Sequence, residues 1–350
     1  MSTATPTPAA AKTNHIGLEK SDYQGAKSTL CAGCGHDSVT NHLINAFFKS
    51  GVNPHKVAKL SGIGCSSKTP TYFMARAHGF NAIHGRMGPV ATGVKLVNPE
   101  LTCIGVSGDG DTASIGMGGF THLLRRNVPM VYLVENNGVY GLTKGQFSAT
   151  ADVGSKSKGG EMNPFQTIDL CSLAIDLGCT FVARSFSGDA KQLVPLLEAA
   201  IHHHGTALID VISPCITFAN HPGSTRSYEA VREHTRALQE LGFVQPFDEI
   251  KVDYKEGDSQ AVEMPDGSWI TLKKLDSQDH DITDAIHALK ILHEARNKGE
   301  ILTGLFYLKE NAKDLAETLG LPKEKPLYAM NAEDLRPSQD QLSTIMQAFR

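Results

Sequence analysis

Four cysteines lie in turn-like segments of the sequence, where their thiols are available for chemistry. Cys31 and Cys34 form a Cys-x-x-Cys pair in CAGCGH, while Cys65 and Cys215 each follow an apolar run, in GIGCSS and ISPCIT. Such a pair is typical of a zinc site, a thiol redox motif, a disulfide or two ligands of an iron–sulfur cluster. A haem attachment site is excluded, because it needs His directly after the second Cys and this chain has Gly there.

A second set of chemistry-bearing residues ends two apolar runs, LTCIGVS and VPMVYLVE. The segments are Gly108-Asp109-Gly110-Asp111 and Asn136-Asn137. Glycines let a backbone approach a phosphate, and free N–H groups at the start of a helix favour an anion. Asp109 would repel a bare diphosphate unless the carboxylate binds a divalent ion such as Mg²⁺ that bridges to it. A Gly-Asp-Gly turn alone is a weak signal, but the two segments together predict a metal-bridged diphosphate site.

The elements that must position both sets are those of an α/β fold. From about residue 56 to 214, short β-branched runs alternate with helical patterns over 41–48, 113–126 and 189–203. This rhythm predicts a doubly wound, mostly parallel sheet with helices on both faces. Ligands of such sheets bind beyond the carboxyl ends of the strands, so we expect the four cysteines and the GDGD and NN segments to share one edge.

Three segments are expected along the chain: a flexible tail over 1–14, the main α/β domain over 15–240, and a C-terminal arm over 241–350. The arm reads as a hairpin turning at Pro265-Asp266-Gly267 and a helix ending near Gly299. Its predicted apolar stripe consists of Ile282, Ile286, Leu289 and Leu292.

Composition narrows the class of protein. The 350 residues are 41% hydrophobic and 20% charged, with a formal net charge of −4. These values indicate a globular protein and disfavour nucleic acid as a partner. No apolar run has the length of a membrane span, and the tail lacks the apolar core of a signal peptide, so we expect a cytoplasmic protein.

Cys103, Cys171 and Cys179 lie within strand or helix patterns and are expected to be buried and inert.

The four turn cysteines therefore suit a tetrahedral four-thiolate site that holds either zinc or a four-iron cluster. Spacing alone leaves both open. The GDGD and NN segments together resemble the diphosphate-binding signature of thiamine diphosphate enzymes, whose cofactor generates a carbanion. Beside such a cofactor an electron acceptor makes chemical sense, whereas zinc does not.

Five motifs occur in order: CAGCGH, GIGCSS, HGR…PVATG, GDGD…IG and NNGVYGLTKGQ. Over about residues 23–222 the chain thereby resembles the β subunits of the 2-oxoacid:ferredoxin oxidoreductases. The resemblance implies the thiamine diphosphate-binding fold with a C-terminal extension. The 4Fe-4S cluster is implied on Cys31, Cys34, Cys65 and Cys215. Magnesium is implied on Asp109, the Asn137 side chain and the Val139 carbonyl, with Asn136 as the alternative ligand. The diphosphate would be lined by Gly108, Gly110, Asp111 and Asn136.

The implied activity is oxidative decarboxylation of a 2-oxoacid, with coenzyme A taking the acyl group and ferredoxin taking the electrons. In this family the α partner supplies the glutamate that activates thiamine and most of the coenzyme A site. We therefore expect an α₂β₂ complex and an isolated chain that is inactive.

Substrate choice would depend on cations near the cofactor. Lys68 and Lys144 are expected to pair with a second substrate carboxylate, because an unpaired buried charge is costly. The resemblance favours 2-oxoglutarate, with pyruvate as the alternative. His84, Arg86 and His36 are candidate cofactor or substrate contacts, although a loop salt bridge explains them equally well.

The run His202 to His204 could suggest a metal, but consecutive side chains splay around a helix end, so we interpret it as a C-terminal turn.

Two rival functions remain open. A non-oxidative thiamine-dependent decarboxylase subunit would leave the four turn cysteines unexplained. A zinc-stabilised binding protein would leave the GDGD and NN pair unexplained.

Overall fold

The alternation of β-branched and helical patterns builds one large sheet. The computed structural model describes residues 13–155, 160–216, 250–263, 269–276, 280–322 and 324–349. Its strands are β1 Val57–Ser61, β2 His78–Asn81, β3 Thr102–Gly108, β4 Met130–Asn136, β5 Val139–Tyr140, β6 Gln146–Phe147, β7 Phe181–Phe186, β8 Thr206–Ile212, β9 Ser259–Glu263, β10 Trp269–Lys274 and β11 Glu300–Leu308. Nine of them form a sheet in the order β2-β1-β3-β4-β8-β7-β11-β10-β9, and β5 and β6 form a separate hairpin.

Strands β2, β1, β3, β4, β8 and β7 are parallel to their neighbours. Strand β11 then pairs with β7 antiparallel, and β9 and β10 extend the sheet beyond it. The predicted mostly parallel sheet is confirmed. It follows that β1, β3, β4 and β8 all present their carboxyl ends at the same edge.

Helices cover both faces of the sheet. They are α1 Gly35–Ser50, α2 Met87–Val97, α3 Met117–Arg125, α4 Leu170–Asp176, α5 Ala190–His202, α6 Ala285–Asn297, α7 Leu315–Thr318 and α8 Gln339–Gln347. Helices α1 and α5 share one buried core with the sheet, while α2, α3, α4 and α6 share the other. The predicted doubly wound arrangement is thus confirmed, and each face has its own apolar core.

The predicted helical patterns correspond to α1, α3 and α5, with differences at their ends. Asp189 lies outside α5 as its N-cap and accepts a hydrogen bond from the backbone N–H of Gln192, as expected for a residue that satisfies a free donor at a helix start. The helix predicted from residue 113 is split. A π-helical turn, Asp111–Ile115, precedes α3, and such wider turns occur mostly at functional sites.

The C-terminal segment continues the main sheet through β11, β10 and β9. Strands β9 and β10 are the antiparallel pair of the predicted hairpin, whose turn lies outside the described residues. Helix α6 is the predicted helix, but Ile286 on its expected stripe is 75% exposed. Leu292 on that stripe is buried and Leu289 is partly buried, whereas Ile282 precedes the helix. Ala288 and Ala295 are buried as well.

Cys103, Cys171 and Cys179 are buried as predicted. Within the described ranges, the structure contains no helix that combines the length and apolar character needed to cross a membrane.

A buried lysine fixes the 3₁₀ turn that follows β1. This turn, Cys65–Thr71, carries one of the turn cysteines. The Lys59 ammonium donates hydrogen bonds to the carbonyls of Pro70 and Phe73, each at 2.6 Å, and lies 5.2 Å from the centre of the Phe73 ring. Lys59 is only 6% exposed, so its buried ammonium stabilises the end of the turn through these two hydrogen bonds.

Replacing Lys59 with Met should therefore destabilise the fold. We expect Lys59→Met to lower the free energy of unfolding by about 2–3 kcal/mol, because two buried carbonyls lose their donor. Urea denaturation measures the change. Lys56→Met, at an exposed position, is the control and should stay within about 0.5 kcal/mol of wild type. Equal stability of both variants would contradict the role assigned to Lys59.

Candidate cofactor and cluster site

A cavity opens at the carboxyl edge of the sheet, between the ends of β1, β3 and β4. We call it the Asp109 cavity; its volume is about 110 Å³. Its lining contains nine residues that the sequence predicted as ligands or contacts: His36, Cys65, His84, Gly108, Asp109, Gly110, Asp111, Asn137 and Val139. The parallel topology thus gathers segments that are up to about a hundred positions apart in the chain.

Asp109 lies at the end of β3 and is 1% exposed. One carboxylate oxygen accepts the backbone N–H of Asn137 at 3.2 Å. The other accepts the hydroxyls of Ser148 and Thr150. All these donors are neutral, and none of the described lysines or arginines forms a salt bridge with Asp109. Burial raises the pKa of the carboxyl group, against the lowering effect of these hydrogen bonds.

The two asparagines at the end of β4, Asn136 as its last residue and Asn137 as the next, line different cavities. Asn137 lines the Asp109 cavity, and its side-chain oxygen accepts the Val139 N–H at 3.1 Å. Asn136 instead donates to Asp210 at 3.0 Å and accepts from Thr150 at 3.1 Å. Successive side chains of a strand point to opposite faces, so these two neighbouring residues line two different cavities. Asn137 therefore shares the cavity with Asp109, and its predicted role as a metal ligand stays a prediction.

Asn136 lines a neighbouring cavity that we call the Arg184 cavity, after the guanidinium between Asp169 and Asp210. The predicted role of Asn136 as a lining residue of the diphosphate site stays a prediction, and this placement does not support it.

Asp111 holds the loop that carries His84. Its side chain accepts hydrogen bonds from the His84 imidazole, the Gly85 N–H at 2.8 Å and the Ser107 hydroxyl at 2.9 Å. A Cβ at Gly62 would lie 1.6 Å from an Asp111 oxygen, so glycine is needed there. Asp111 thus positions His84 at the cavity wall.

Glu135 and Ser66 line the same cavity and were missed from the sequence. Glu135 is fully buried at the end of β4, and Thr69 donates to it at 2.9 Å. Its only sequence signal was a carboxylate inside an apolar strand. The Ser66 hydroxyl is buried and, within the described chain, has no hydrogen-bond partner. It offers a donor to whatever fills the cavity.

The buried Glu135 lies beside an equally buried imidazole. The nitrogen Nε2 of His36 is 3.7 Å from a Glu135 oxygen, and Nδ1 is 2.6 Å from the Ser213 hydroxyl. Burial raises the pKa of Glu135 well above its usual range and lowers that of His36 to about 4. Burial therefore favours the uncharged form of both groups on this side of the cavity.

The four turn cysteines meet beside this cavity. Cys34 is buried and Cys31 is exposed, while Cys65 and Cys215 are partly buried. Burial raises the pKa values of Cys34 and Cys65, and the charge of a Cys215 thiolate raises both further. Across the described residues, the cysteines do not form a group whose ligand atoms all lie within 4.8 Å. The thiols are thus neighbours, but they are more widely spaced than ligands of one shared ion.

The three predicted substrate cations lie outside the lining of the Asp109 cavity. Lys68 is partly buried on the turn that carries Cys65, and its charge lowers the pKa of that thiol against the larger effect of burial. Lys144 is exposed in the β5–β6 loop, with φ of +79°. Arg86 is exposed and donates to the Gly85 carbonyl at 3.2 Å. Their predicted contacts with substrate stay predictions.

Fold and site together define a thiamine diphosphate-binding domain. A family model described as the C-terminal TPP binding domain of thiamine pyrophosphate enzymes matches residues 62–211. The chain belongs to the β subunits of the 2-oxoacid:ferredoxin oxidoreductases. It is 46% identical over 189 residues to the subunit beta of this enzyme from a Sulfolobus species, and the match covers 54% of this chain and 62% of that subunit.

Two further similar proteins are named for 2-oxoglutarate. The 2-oxoglutarate synthase subunit KorB of Methanocaldococcus jannaschii is 37% identical, over 54% of this chain and 70% of that subunit. A solved structure of 2-oxoglutarate:ferredoxin oxidoreductase from Magnetococcus marinus, with 2-oxoglutarate, coenzyme A and succinyl-CoA bound, superposes with a TM-score of 0.71. It is 28% identical and covers 95% of this chain and 96% of its own.

The buried His36 predicts a specific response to pH. Its pKa is about 4 in the folded chain and about 6.5 in the unfolded one, so between these values the unfolded state binds more protons. Stability from this residue is full above pH 6.5 and is lost as the pH falls. Relative to His36→Asn, wild type should lose about 2 kcal/mol between pH 6.5 and 4.5.

Urea denaturation of the metal-free chain at several pH values measures the effect as a difference between variants, because Glu135 titrates in the opposite sense. His202→Asn, at an exposed histidine, should keep the wild-type pH dependence. A stability difference between wild type and His36→Asn that is independent of pH would disprove the assignment.

Proposed function

We propose that this chain is the β subunit of a 2-oxoglutarate:ferredoxin oxidoreductase. The enzyme would convert 2-oxoglutarate, coenzyme A and two oxidised ferredoxins into succinyl-CoA, carbon dioxide, two reduced ferredoxins and a proton. One observation carries the proposal: a buried carboxylate–amide pair, Asp109 and Asn137, shares a cavity wall with Cys65 of the four-cysteine group.

The residues around Asp109 fit magnesium and a diphosphate. A fully buried carboxylate with only neutral donors favours a divalent cation as its compensating charge. Asp109, the Asn137 side chain and the Val139 carbonyl are the hard oxygen ligands that magnesium prefers, and the Asn137 oxygen keeps a second lone pair for it. The unpartnered Ser66 hydroxyl beside Gly108 supplies a donor for a phosphate oxygen.

The cysteines fit a 4Fe-4S cluster better than zinc. Zinc holds four thiolates at about 2.3 Å each, which places the sulfurs about 3.8 Å apart. The four described thiols interact electrostatically but are not gathered that closely. A cubane cluster bound by Cys31, Cys34, Cys65 and Cys215 spans a larger distance. This favours the oxidoreductase over both the zinc-binding protein and the non-oxidative decarboxylase.

When bound, thiamine diphosphate would supply the carbon nucleophile for a 2-oxoacid and the cluster would accept single electrons. The protein groups around them bind and orient. Asp111 holds His84 against the cavity, and burial favours the uncharged forms of the neighbouring Glu135 and His36. Lys68 favours the thiolate form of Cys65. A low-dielectric wall of this kind strengthens the electrostatic effect of the remaining groups.

An α subunit is proposed to cover the mouth of the Asp109 cavity. Leu142, which lines this cavity, is 53% exposed. Two more large apolar side chains lie next to residues of the His84 loop and are exposed: Ile83, before His84, by 75% and Ile115, beside Gly85, by 46%. Such a patch around a polar site is typical of a protein interface. A partner would exclude water there and complete the coenzyme A site, which is why we expect the isolated chain to be inactive.

The function is tested on the complex purified without oxygen. We expect a brown protein with about four irons per chain and reduction of a viologen dye that requires both 2-oxoglutarate and coenzyme A. Cys65→Ser should lose the iron and the colour. Asp109→Asn should keep both, yet lose thiamine diphosphate binding, measured by calorimetry with and without Mg²⁺. It should also lose dye reduction.

A colourless complex containing zinc would refute the oxidoreductase. Carbon dioxide release without dye reduction would instead favour the non-oxidative decarboxylase.

Lys68 is proposed to select the substrate by pairing with the distal carboxylate of 2-oxoglutarate. Lys68→Ile should reduce kcat/KM for 2-oxoglutarate relative to pyruvate by about 10- to 100-fold, as expected when a charged hydrogen bond worth about 1.5–3 kcal/mol is lost. Lys144→Ile, at the exposed loop lysine, is the matched variant. An unchanged ratio for Lys68→Ile would remove this residue from substrate selection, while a loss of iron would assign it to the cluster.

A further inference from the structure

The side chain of Tyr140 packs on the turn that carries Asp109. Tyr140 belongs to β5, is partly buried and lines the Asp109 cavity. Its hydroxyl donates a hydrogen bond to the Gly110 carbonyl at 2.9 Å. Its ring centre lies 6.2 Å from that of His84, with an angle of 68° between the ring planes, which is the edge-to-face arrangement favoured by aromatic rings. Tyr140 is therefore held on two sides, by the Gly110 backbone and by His84.

Tyr140 and Gly110 each directly follow a proposed magnesium ligand. Val139 precedes Tyr140 and Asp109 precedes Gly110, and the hydrogen bond joins segments that are 30 positions apart in the chain. Mg²⁺ demands near-octahedral geometry, so the two segments must lie at a fixed distance from each other. We propose that Tyr140 is a positioning residue that sets the distance between Asp109 and the Val139 carbonyl for the binding of magnesium and diphosphate. This role rests on the proposed function.

Gly110 shows how closely the Tyr140 ring fits this turn. The Gly110 backbone has φ of −67° and ψ of −38°, which are helical values that any residue adopts, so its conformation does not require glycine. A Cβ at Gly110 would lie 2.6 Å from the Tyr140 ring, whereas carbon atoms in contact lie about 3.5–4.0 Å apart. To make room, the ring would have to move away from the Gly110 carbonyl that it bonds. The glycine at this position is therefore explained by Tyr140 rather than by the approach of a phosphate.

The β5–β6 hairpin is attached to Asp109 at its other end by separate bonds. Ser148 and Thr150, which follow β6, both donate to the Asp109 carboxylate. Loss of the Tyr140 hydroxyl would thus leave the end of the hairpin in place and release its start, where Val139 lies. The expected consequence is a change in the spacing of the two ligands and not the loss of the fold.

The role is tested on the complex purified without oxygen, by calorimetry with thiamine diphosphate. With Mg²⁺, Tyr140→Phe should weaken binding by about 3- to 10-fold, as the loss of one hydrogen bond predicts. The loss should be smaller with Ca²⁺, which accepts a more flexible geometry. Tyr23→Phe is the matched control, because the Tyr23 hydroxyl also donates to a backbone carbonyl at 2.9 Å, that of Val52, past the end of α1 that is remote from the cavity. This variant should bind like wild type.

A double-mutant cycle tests the contact itself. Gly110→Ala alone should weaken thiamine diphosphate binding by about 10-fold or more and lower the melting temperature of the cofactor-free complex, because the added methyl group displaces the ring. When Tyr140→Ala removes the ring, adding Gly110→Ala should change either quantity little, since the effects of residues in contact are not additive. The melting temperature needs no cofactor, so it reports on the contact even where a variant binds too weakly for calorimetry.

Three results would each overturn the role of Tyr140. Tyr140→Phe could bind thiamine diphosphate as tightly as wild type with Mg²⁺, or its loss of affinity could be equal with Mg²⁺ and Ca²⁺. Gly110→Ala could also have the same effect with and without the Tyr140 ring, which would assign the glycine to the approach of a phosphate. A wild-type complex that binds no thiamine diphosphate would instead refute the proposed function, and the role of Tyr140 with it.

Discussion

The buried carboxylate of Asp109 is the constraint on which the cofactor edge of the sheet depends. A carboxylate that is 1% exposed must have its charge compensated or spread over donors. Here there are three neutral donors: the backbone N–H of Asn137, after β4, and the hydroxyls of Ser148 and Thr150. The loop between β4 and α4 must therefore fold back over the end of β3, and this return forms one wall of the Asp109 cavity.

The same network links two cavities of different electrostatic character. Thr150 bonds both Asp109 and Asn136, and Asn136 bonds Asp210, which pairs with Arg184. In the Arg184 cavity, Asp169 and Asp210 both form direct ion pairs with Arg184. Asp109 has no such ion pair among the described residues, and this difference is the basis of the metal site proposed there. The contrast depends on a single strand, β4, whose last residue and its successor face opposite ways.

Much of this arrangement could be predicted because it depends on short-range pattern. β-branched runs ending in Gly, Asn or Pro specify parallel strands, and parallel strands place their ends together. Glu135 and Ser66 were missed because a carboxylate in a strand and a serine in a turn have no distinctive spacing. The predicted burial of Ile286 was wrong, because the stripe that a helix buries depends on the element that it packs against, which here is β11.

The sequence by itself determined the class of fold, the gathering of four cysteines with the GDGD and NN segments, and the chemistry that those residue types permit. Only the tertiary structure decided that Asn137 and not Asn136 lines the cavity beside Asp109, and that Asp111 accepts a hydrogen bond from His84. It also decided that the Tyr140 ring packs on Gly110. The physical reason is that side-chain direction follows strand pleat and packing between distant elements, and local sequence does not encode which distant elements meet.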